Sequence, residues 1–217
     1  MIQPATARPR TSWRERPWVG PFALIAVVFV AYSLPPYLSF NPAASRVPPP
    51  DLPGYFPLLV THVLCGSVAI LTCCLQVWPR FRTRHPVAHR RIGRVYVFAG
   101  VLPAGLVGLV IGAATPFGPV AAASNVLLSA LWLTCTAAGW RAARARRFGD
   151  HRRWMVRSFA LTASIVTNRL WAPVLALGLG PSMTAETLAG MTTWLGWTIP
   201  LLVAQWWLDR KRPLTAG

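Results

Sequence analysis

Acidic residues are the scarcest charged class in this sequence of 217 residues, since five Asp and Glu stand against 22 Lys and Arg. All five lie in predicted tails, loops or helix ends: Glu15, Asp51, Asp150, Glu186 and Asp209. Transport coupled to protons or cations usually relies on an acidic side chain within the membrane. The sequence therefore argues against a secondary transporter of that kind.

Familiar catalytic and metal-binding patterns are also missing. The chain contains no His-Glu-x-x-His, no Gly-x-Ser-x-Gly, no P-loop and no Asp-rich diphosphate–magnesium motif. Its four cysteines lie inside apolar runs without paired ligand spacing, so we interpret them as packing residues: Cys65, Cys73, Cys74 and Cys135. No metal site is predicted and no catalytic residue is assigned.

Hydrophobic residues, by contrast, make up 54% of the chain, and the mean hydropathy is +0.44. A net charge of +17 would suit a nucleic-acid partner if the basic residues lined a soluble face. Here they separate apolar runs that are long enough to cross a bilayer. The composition therefore favours an all-α integral membrane protein and argues against nucleic-acid binding.

Six segments reach the length of about 20 apolar residues that a transmembrane helix needs: 18–40, 56–78, 92–114, 119–140, 154–177 and 187–208. The first has the basic flank of a signal peptide, but its apolar run is long and residues 42–45 form a poor cleavage site, which favours a retained helix. We predict a basic tail at 1–17, a six-helix domain at 18–208 and a second tail at 209–217.

Basic residues are concentrated in alternate connections. The N-terminal tail holds four, the 79–94 connection six, the 141–157 connection seven and the C-terminal tail three, whereas the remaining connections hold only Arg46. By the positive-inside rule, these twenty charges predict that both termini are cytoplasmic.

An internal duplication appears when the chain is shifted by 62 residues. Trp78 then aligns with Trp140, and His89-Arg90-Arg91 aligns with His151-Arg152-Arg153, without a gap. The offset predicts two copies of one helical hairpin, at about 56–114 and 119–177, that build a four-helix core with the first and last spans outside it. Within the third span, Gly108 and Gly112 have the spacing that allows two helices to approach closely.

His89 and His151 are partners in this duplication, each placed just before a predicted span. A pseudo-twofold axis would hold them at one depth, and two neutral imidazoles are what a six-coordinate haem iron needs. The neighbouring arginines could pair with haem propionates. In the alternative interpretation, His-Arg-Arg at a helix entrance is only interfacial charge, because ionisable residues are common there.

A second group of polar residues lies deeper, in the outer half of the predicted bundle. His62 and Asn125 are each about 9 Å from the outer end of their spans, and Asn168 and Arg169 are about 12 Å in. We predict one ligand pocket from these four. Arg169 either meets an anionic group, such as a lipid phosphate, a propionate or a quinone oxygen, or it extends outward or bonds to Asn125.

Parts of the chain resemble a known family. The residues that carry the resemblance are Tyr55 to Leu59, His62, Gly66, Gln76, His89 to Tyr96, His151 to Ser158 and Asn168 to Leu170. Over about residues 55–175 they resemble the bacterial predicted membrane proteins grouped as domain of unknown function 2306. The resemblance implies a multi-pass protein of the bacterial inner membrane, in a family whose name assigns no activity.

The architecture is also similar to that of the cytochrome b561 group, in which four core helices bind two haems through two histidine pairs. The sequence departs from that pattern because Ser124, not a histidine, is the duplication equivalent of His62. One haem at His89 and His151 is thus our leading interpretation, in an electron-transfer protein with a quinone or other lipid-soluble partner near Arg169. The alternative is a cofactor-free accessory protein whose arginine-rich face binds anionic lipid or an acidic partner.

Overall fold

A computed structural model describes residues 17–48, 50, 52–179 and 183–210. The predicted basic tails therefore lie outside the described residues, except for Pro17, Asp209 and Arg210. Within the described ranges all regular structure is helical: α1 (Val19–Ser33), α2 (Pro35–Leu38), a 3-10 turn (Pro42–Ala44), α3 (Tyr55–Val77), α4 (Pro79–Arg84), α5 (Pro86–Ala113), α6 (Pro119–Arg144), α7 (Phe148–Leu179) and α8 (Ala185–Asp209).

Five of these helices are long and apolar enough to cross a membrane, namely α3, α5, α6, α7 and α8. They coincide with the last five predicted spans, and the chain is a multi-pass membrane protein. Two of them begin six residues earlier than predicted: α5 starts at Pro86 instead of residue 92, and α7 starts at Phe148 instead of residue 154. Hydropathy marks only the apolar part of a helix, whereas backbone hydrogen bonding continues into its polar flank.

This earlier start corrects the predicted position of the two histidines. His89 and His151 lie inside α5 and α7, not just before them. In α5 the helix is started by Pro86 at its first position, where a missing N–H costs nothing. Both imidazoles are therefore held on regular helix, which fixes the direction in which they project.

The predicted first span consists of two helices. α1 has 15 residues, which at 1.5 Å per residue is about 22 Å and shorter than the hydrocarbon core of about 30 Å. The Pro35-Pro36 pair interrupts the helix, because proline removes a backbone donor, and α2 continues to Leu38. α1 packs on α3, and its Phe22 ring contacts Phe159 of α7 at 5.2 Å.

The helices α3, α5, α6 and α7 form a closed ring in which each packs on the next and α7 returns to α3. The buried centre of the ring is formed by side chains from all four helices: Ile70, Cys73, Tyr96, Val101, Trp132, Cys135 and Leu161. α8 packs outside the ring against α6 and α7, and α1 packs outside it against α3. In this ring α5 lies across from α7.

Small residues set the spacing around α5. A Cβ added at Gly100 would lie 2.9 Å from the Cα of Ala69 on α3, and one at Gly112 would lie 2.9 Å from the Cβ of Asn125 on α6. Such contacts are possible only where glycine lets two helices approach closely, as the Gly108 and Gly112 spacing predicted. The middle of α5, Tyr96–Val101, is π-helical and directly precedes Pro103, whose missing N–H interrupts the regular ladder of bonds.

Candidate functional site

His151 has a defined tautomer. Its Nδ1 lies 2.9 Å from the carbonyl oxygen of Gly139 on α6. A carbonyl only accepts, so Nδ1 carries the proton, and in the neutral ring the lone pair then lies on Nε2. This is the arrangement that orients a histidine as a metal ligand, in which a backbone carbonyl fixes the ring and leaves the other nitrogen free to coordinate.

His89 lies on α5, and His151 lies on α7, the helix on the opposite side of the four-helix ring. The Nδ1 atom of His89 is buried and has no hydrogen-bond partner among the described residues. The backbone beside it is held to α3, because Gln76 Nε2 donates to the His89 carbonyl at 3.1 Å.

A buried cluster of hydrogen-bonded side chains, here called the hydroxyl cluster, lies deeper among the four helices and was not predicted from the sequence. It consists of Tyr96, Trp132, Thr136, Ser158 and Thr162. The Tyr96 hydroxyl is 2.6 Å from Ser158 Oγ and 2.8 Å from Thr162 Oγ1. Trp132 Nε1 donates to Thr162 Oγ1 at 3.0 Å, and Thr136 Oγ1 is 2.7 Å from Ser158 Oγ. All five side chains are buried, and they join α5, α6 and α7.

The hydroxyl cluster and the histidines lie on the same helix faces. Tyr96 follows His89 by seven residues, and Ser158 follows His151 by seven. Seven residues make about two turns and about 10 Å of rise, so each histidine projects from the same face as the hydroxyl that follows it. Tyr96 and Ser158 meet among the four helices, and the two histidines lie about 10 Å from them along the helix axes, nearer the end of the bundle that carries the arginine-rich connections 79–94 and 141–157.

The sequence contains a signal for this hydroxyl cluster. Tyr96 and Ser158 are themselves 62 residues apart, the same offset that pairs His89 with His151. Both lie within the motif residues that carry the family resemblance. A polar aromatic residue inside an apolar span, with a hydroxyl at its duplicated position, indicates a buried hydrogen bond, because an unpaired hydroxyl is costly in hydrocarbon.

Two residues of the predicted outer pocket contact α5 from neighbouring helices, His62 from α3 and Asn125 from α6. The Nδ1 atom of His62 is 2.9 Å from the Ala104 carbonyl, and the ring packs against Gly108, which also adjoins Ser129. Asn125 packs against Gly112, one turn further along α5. His62 and Asn125 therefore contact neighbouring turns of the same helix.

The other two residues of that pocket lie elsewhere. Asn168 packs against Gly196 of α8, and the Arg169 side chain is exposed on α7. Ser124, the duplication equivalent of His62, accepts a hydrogen bond from Trp197 Nε1 of α8 at 3.0 Å. Among the described residues no hydrogen bond joins any two of His62, Asn125, Asn168 and Arg169, and the four-residue pocket stays a prediction.

A model of a known protein family matches most of the chain. Residues 59–208 match the model of the predicted membrane protein family called domain of unknown function 2306. The chain belongs to that family. The family predicted from the motif residues is thereby confirmed, and the match extends beyond 55–175 to include α8. No curated protein and no solved structure matches the chain.

The domain of unknown function 2306 covers α5, α6 and α7 completely, together with most of α3 and nearly all of α8. It contains the two histidines, the hydroxyl cluster and His62, whereas α1 and α2 precede it. Every candidate site therefore belongs to the family region. The architectural likeness to the cytochrome b561 group stays a prediction.

Proposed function

We propose that this member of the domain of unknown function 2306 family binds one haem between His89 and His151 and transfers electrons in the membrane. The observation that carries the proposal is that the two histidines lie on the helix faces that also carry Tyr96 and Ser158, whose hydroxyl groups are 2.6 Å apart. His89 on α5 and His151 on α7 each precede that contact by about two helical turns. Two neutral imidazoles from different helices would be able to hold a haem iron between them.

The donor set fits the group. The Gly139 carbonyl holds the proton of His151 on Nδ1, so that Nε2 offers its lone pair, while Nδ1 of His89 is buried and has no hydrogen-bond partner in the part of the chain that the structure describes. Arg90 and Arg152, a pair at the 62-residue offset, are both exposed beside the histidines and are suited to carboxylates. Haem supplies one-electron chemistry when it is bound.

The chain's own residues orient and enclose this site. Gly139 fixes the rotation of the His151 ring, and Gln76 holds the backbone at His89. The hydroxyl cluster fills the space among the four helices about two turns further from the arginine-rich connections than the two histidines. Its side chains are already hydrogen-bonded to one another. Water is thereby excluded from the centre of the bundle at that depth.

The proposed topology has six spans with both termini on the arginine-rich side. α1 and α2 together cover Val19 to Leu38, about 30 Å of helix and enough for a first, kinked crossing. Large apolar side chains of α1 are exposed, as expected for lipid contact: Leu24, Ile25, Val27 and Val28. The basic residues of the 79–94 and 141–157 connections support an orientation with that end in the cytoplasm.

For the outer half of the bundle we retain the ligand site as a proposal. His62 donates through Nδ1 to the Ala104 carbonyl, which leaves Nε2 as an acceptor for a hydroxyl such as that of a quinol. Asn125 lies one turn away along α5, and the exposed Arg169 is available to an anionic or polarised oxygen of a lipid-soluble partner. Such a partner would be the lipid-soluble electron donor or acceptor of the proposed protein.

Absorption spectra of the purified protein test the haem. Protein expressed in haem-replete cells should show a Soret band and, after reduction, resolved α and β bands. His89→Ala and His151→Ala should each abolish or strongly shift them, because each removes one of the two imidazoles that would hold the iron. His85→Ala is the matched control and should leave the spectrum unchanged, since His85 ends α4 without a partner at the 62-residue offset. A colourless protein from such cells would contradict the proposal.

A further inference from the structure

The short helix α4 and its two flanking residues form a pocket at the arginine-rich end of the bundle. The cavity is half-open, has a volume of about 440 Å³ and is lined by Trp78, Arg80, Phe81, Arg84 and His85. It lies between the end of α3 and the start of α5, where the chain turns back towards the bilayer. The haem site proposed above does not use any of these residues.

The pocket has two cations on one face. Arg80 and Arg84 are four residues apart, so they project from the same side of α4. Both are exposed. Within the described residues the one ion pair joins Arg147 to Asp150, so neither arginine of the pocket is neutralised by a carboxylate. Two guanidinium groups in this position are suited to an anion that accepts hydrogen bonds from both of them.

The remaining walls are aromatic. The rings of Phe81 and His85 lie 5.7 Å apart, and the half-buried Trp78 closes the side next to α3. An indole at the end of a transmembrane helix typically lies at the headgroup level. The pocket therefore combines a cationic face with an apolar wall at the depth where phospholipid headgroups lie.

We infer that this pocket binds the phosphate group of an anionic phospholipid. Arginine forks match phosphate oxygens in geometry as well as charge, and the imidazole of His85 offers a further donor. A volume of about 440 Å³ is within the usual size range of small-molecule sites. Trp78 and Phe81 favour a lipid over free phosphate, because a lipid also brings glycerol and acyl carbons against the rings.

Native mass spectrometry of the full chain in detergent tests the site, with phosphatidylglycerol and phosphatidylcholine as ligands. We expect the unmodified chain to retain phosphatidylglycerol in preference to phosphatidylcholine. The double variant Arg80→Gln, Arg84→Gln should lose about 10- to 30-fold in affinity for phosphatidylglycerol, because it removes charge-assisted hydrogen bonds to the phosphate. A normal elution profile and helical circular dichroism would show that the variant is folded.

The matched control removes the same charge from the same end of the bundle. Arg82 lies on α4 but does not line the pocket, and Arg144 is its exposed partner at the 62-residue offset. The double variant Arg82→Gln, Arg144→Gln should keep its affinity within about twofold if the pocket is specific, because exposed charges outside the pocket act on the lipid only through attraction that salt screens. Equal losses in the two double variants would overturn the inference in favour of diffuse charge. Displacement of the lipid by an equal concentration of inorganic phosphate would overturn the assignment to a lipid. The assay needs no haem, so its outcome is independent of the proposed electron transfer.

Discussion

The Tyr96 hydroxyl of α5 lies 2.6 Å from the Ser158 hydroxyl of α7, and the two residues are 62 positions apart. Residues related by a pseudo-twofold axis can touch each other only where they lie next to that axis. The contact therefore supports the proposed duplication and indicates where its axis would pass. His89 and His151 lie two turns away on the same faces, so the same axis would run between the two imidazoles.

The Tyr96 hydroxyl should stabilise the fold. Tyr96→Phe removes the group that joins Ser158 and Thr162, so we expect a loss of about 0.5–2 kcal/mol in the free energy of unfolding, the range for a buried hydrogen bond. Thermal unfolding in detergent, followed by circular dichroism, measures it as a lower midpoint. Tyr32→Phe is the control, since Tyr32 is exposed. Equal midpoints for the two variants would show that the cluster adds no stability.

Gly100 should be intolerant of a methyl group. A Cβ there would meet the Cα of Ala69 at 2.9 Å and its backbone N at 3.1 Å, and backbone atoms cannot move aside as a flexible side chain can. Gly100→Ala should therefore separate α3 from α5 and destabilise the protein by about 1–3 kcal/mol. Gly149→Ala, where no atom lies within 4 Å, should be neutral or slightly stabilising. The same unfolding measurement applies, and a Gly100→Ala midpoint equal to that of the unmodified chain would refute the close approach.

The proposed topology can be tested by cysteine labelling in sealed cells. Arg46→Cys should react with a membrane-impermeant maleimide added outside, whereas Arg144→Cys should react only after permeabilisation. Both positions are exposed. The unsubstituted chain is the control for background, because three of its four cysteines are buried and Cys65 is half-buried. Labelling of both variants from one side would exclude the six-span model with cytoplasmic termini.

The outer site is tested by electron transfer from a quinol to the haem. If His62 and Arg169 serve one ligand, His62→Ala and Arg169→Ala should each slow haem reduction by quinol, while reduction by dithionite stays unchanged. Arg169→Lys should not restore the rate if both oxygens of a polar group are held by the guanidinium fork. Asn41→Ala, in an exposed loop, is the control. Unchanged rates in both alanine variants would remove the outer site from the proposal.

The positions of five transmembrane helices were predictable from the sequence because an apolar run of about 20 residues has few alternatives to spanning. The family was predictable too, since its motif residues are local in the chain. The ends of α5 and α7 were not, because helix continues into polar residues such as His89 and His151. Pro35 was a visible reason for the first apolar run to form two helices.

Depth could likewise be counted along the chain, but rotation about each helix axis could not. Counting residues placed His62, Asn125, Asn168 and Arg169 within a few turns of one another. Packing then directed His62 and Asn125 towards α5, Asn168 towards α8 and Arg169 to the surface.

Composition and pattern alone determined that this chain lies in a membrane and carries a repeated His-Arg-Arg motif. Only the tertiary structure decided which side chains face the interior, because close helix contacts at residues such as Gly100 and Gly112 set how each helix is turned.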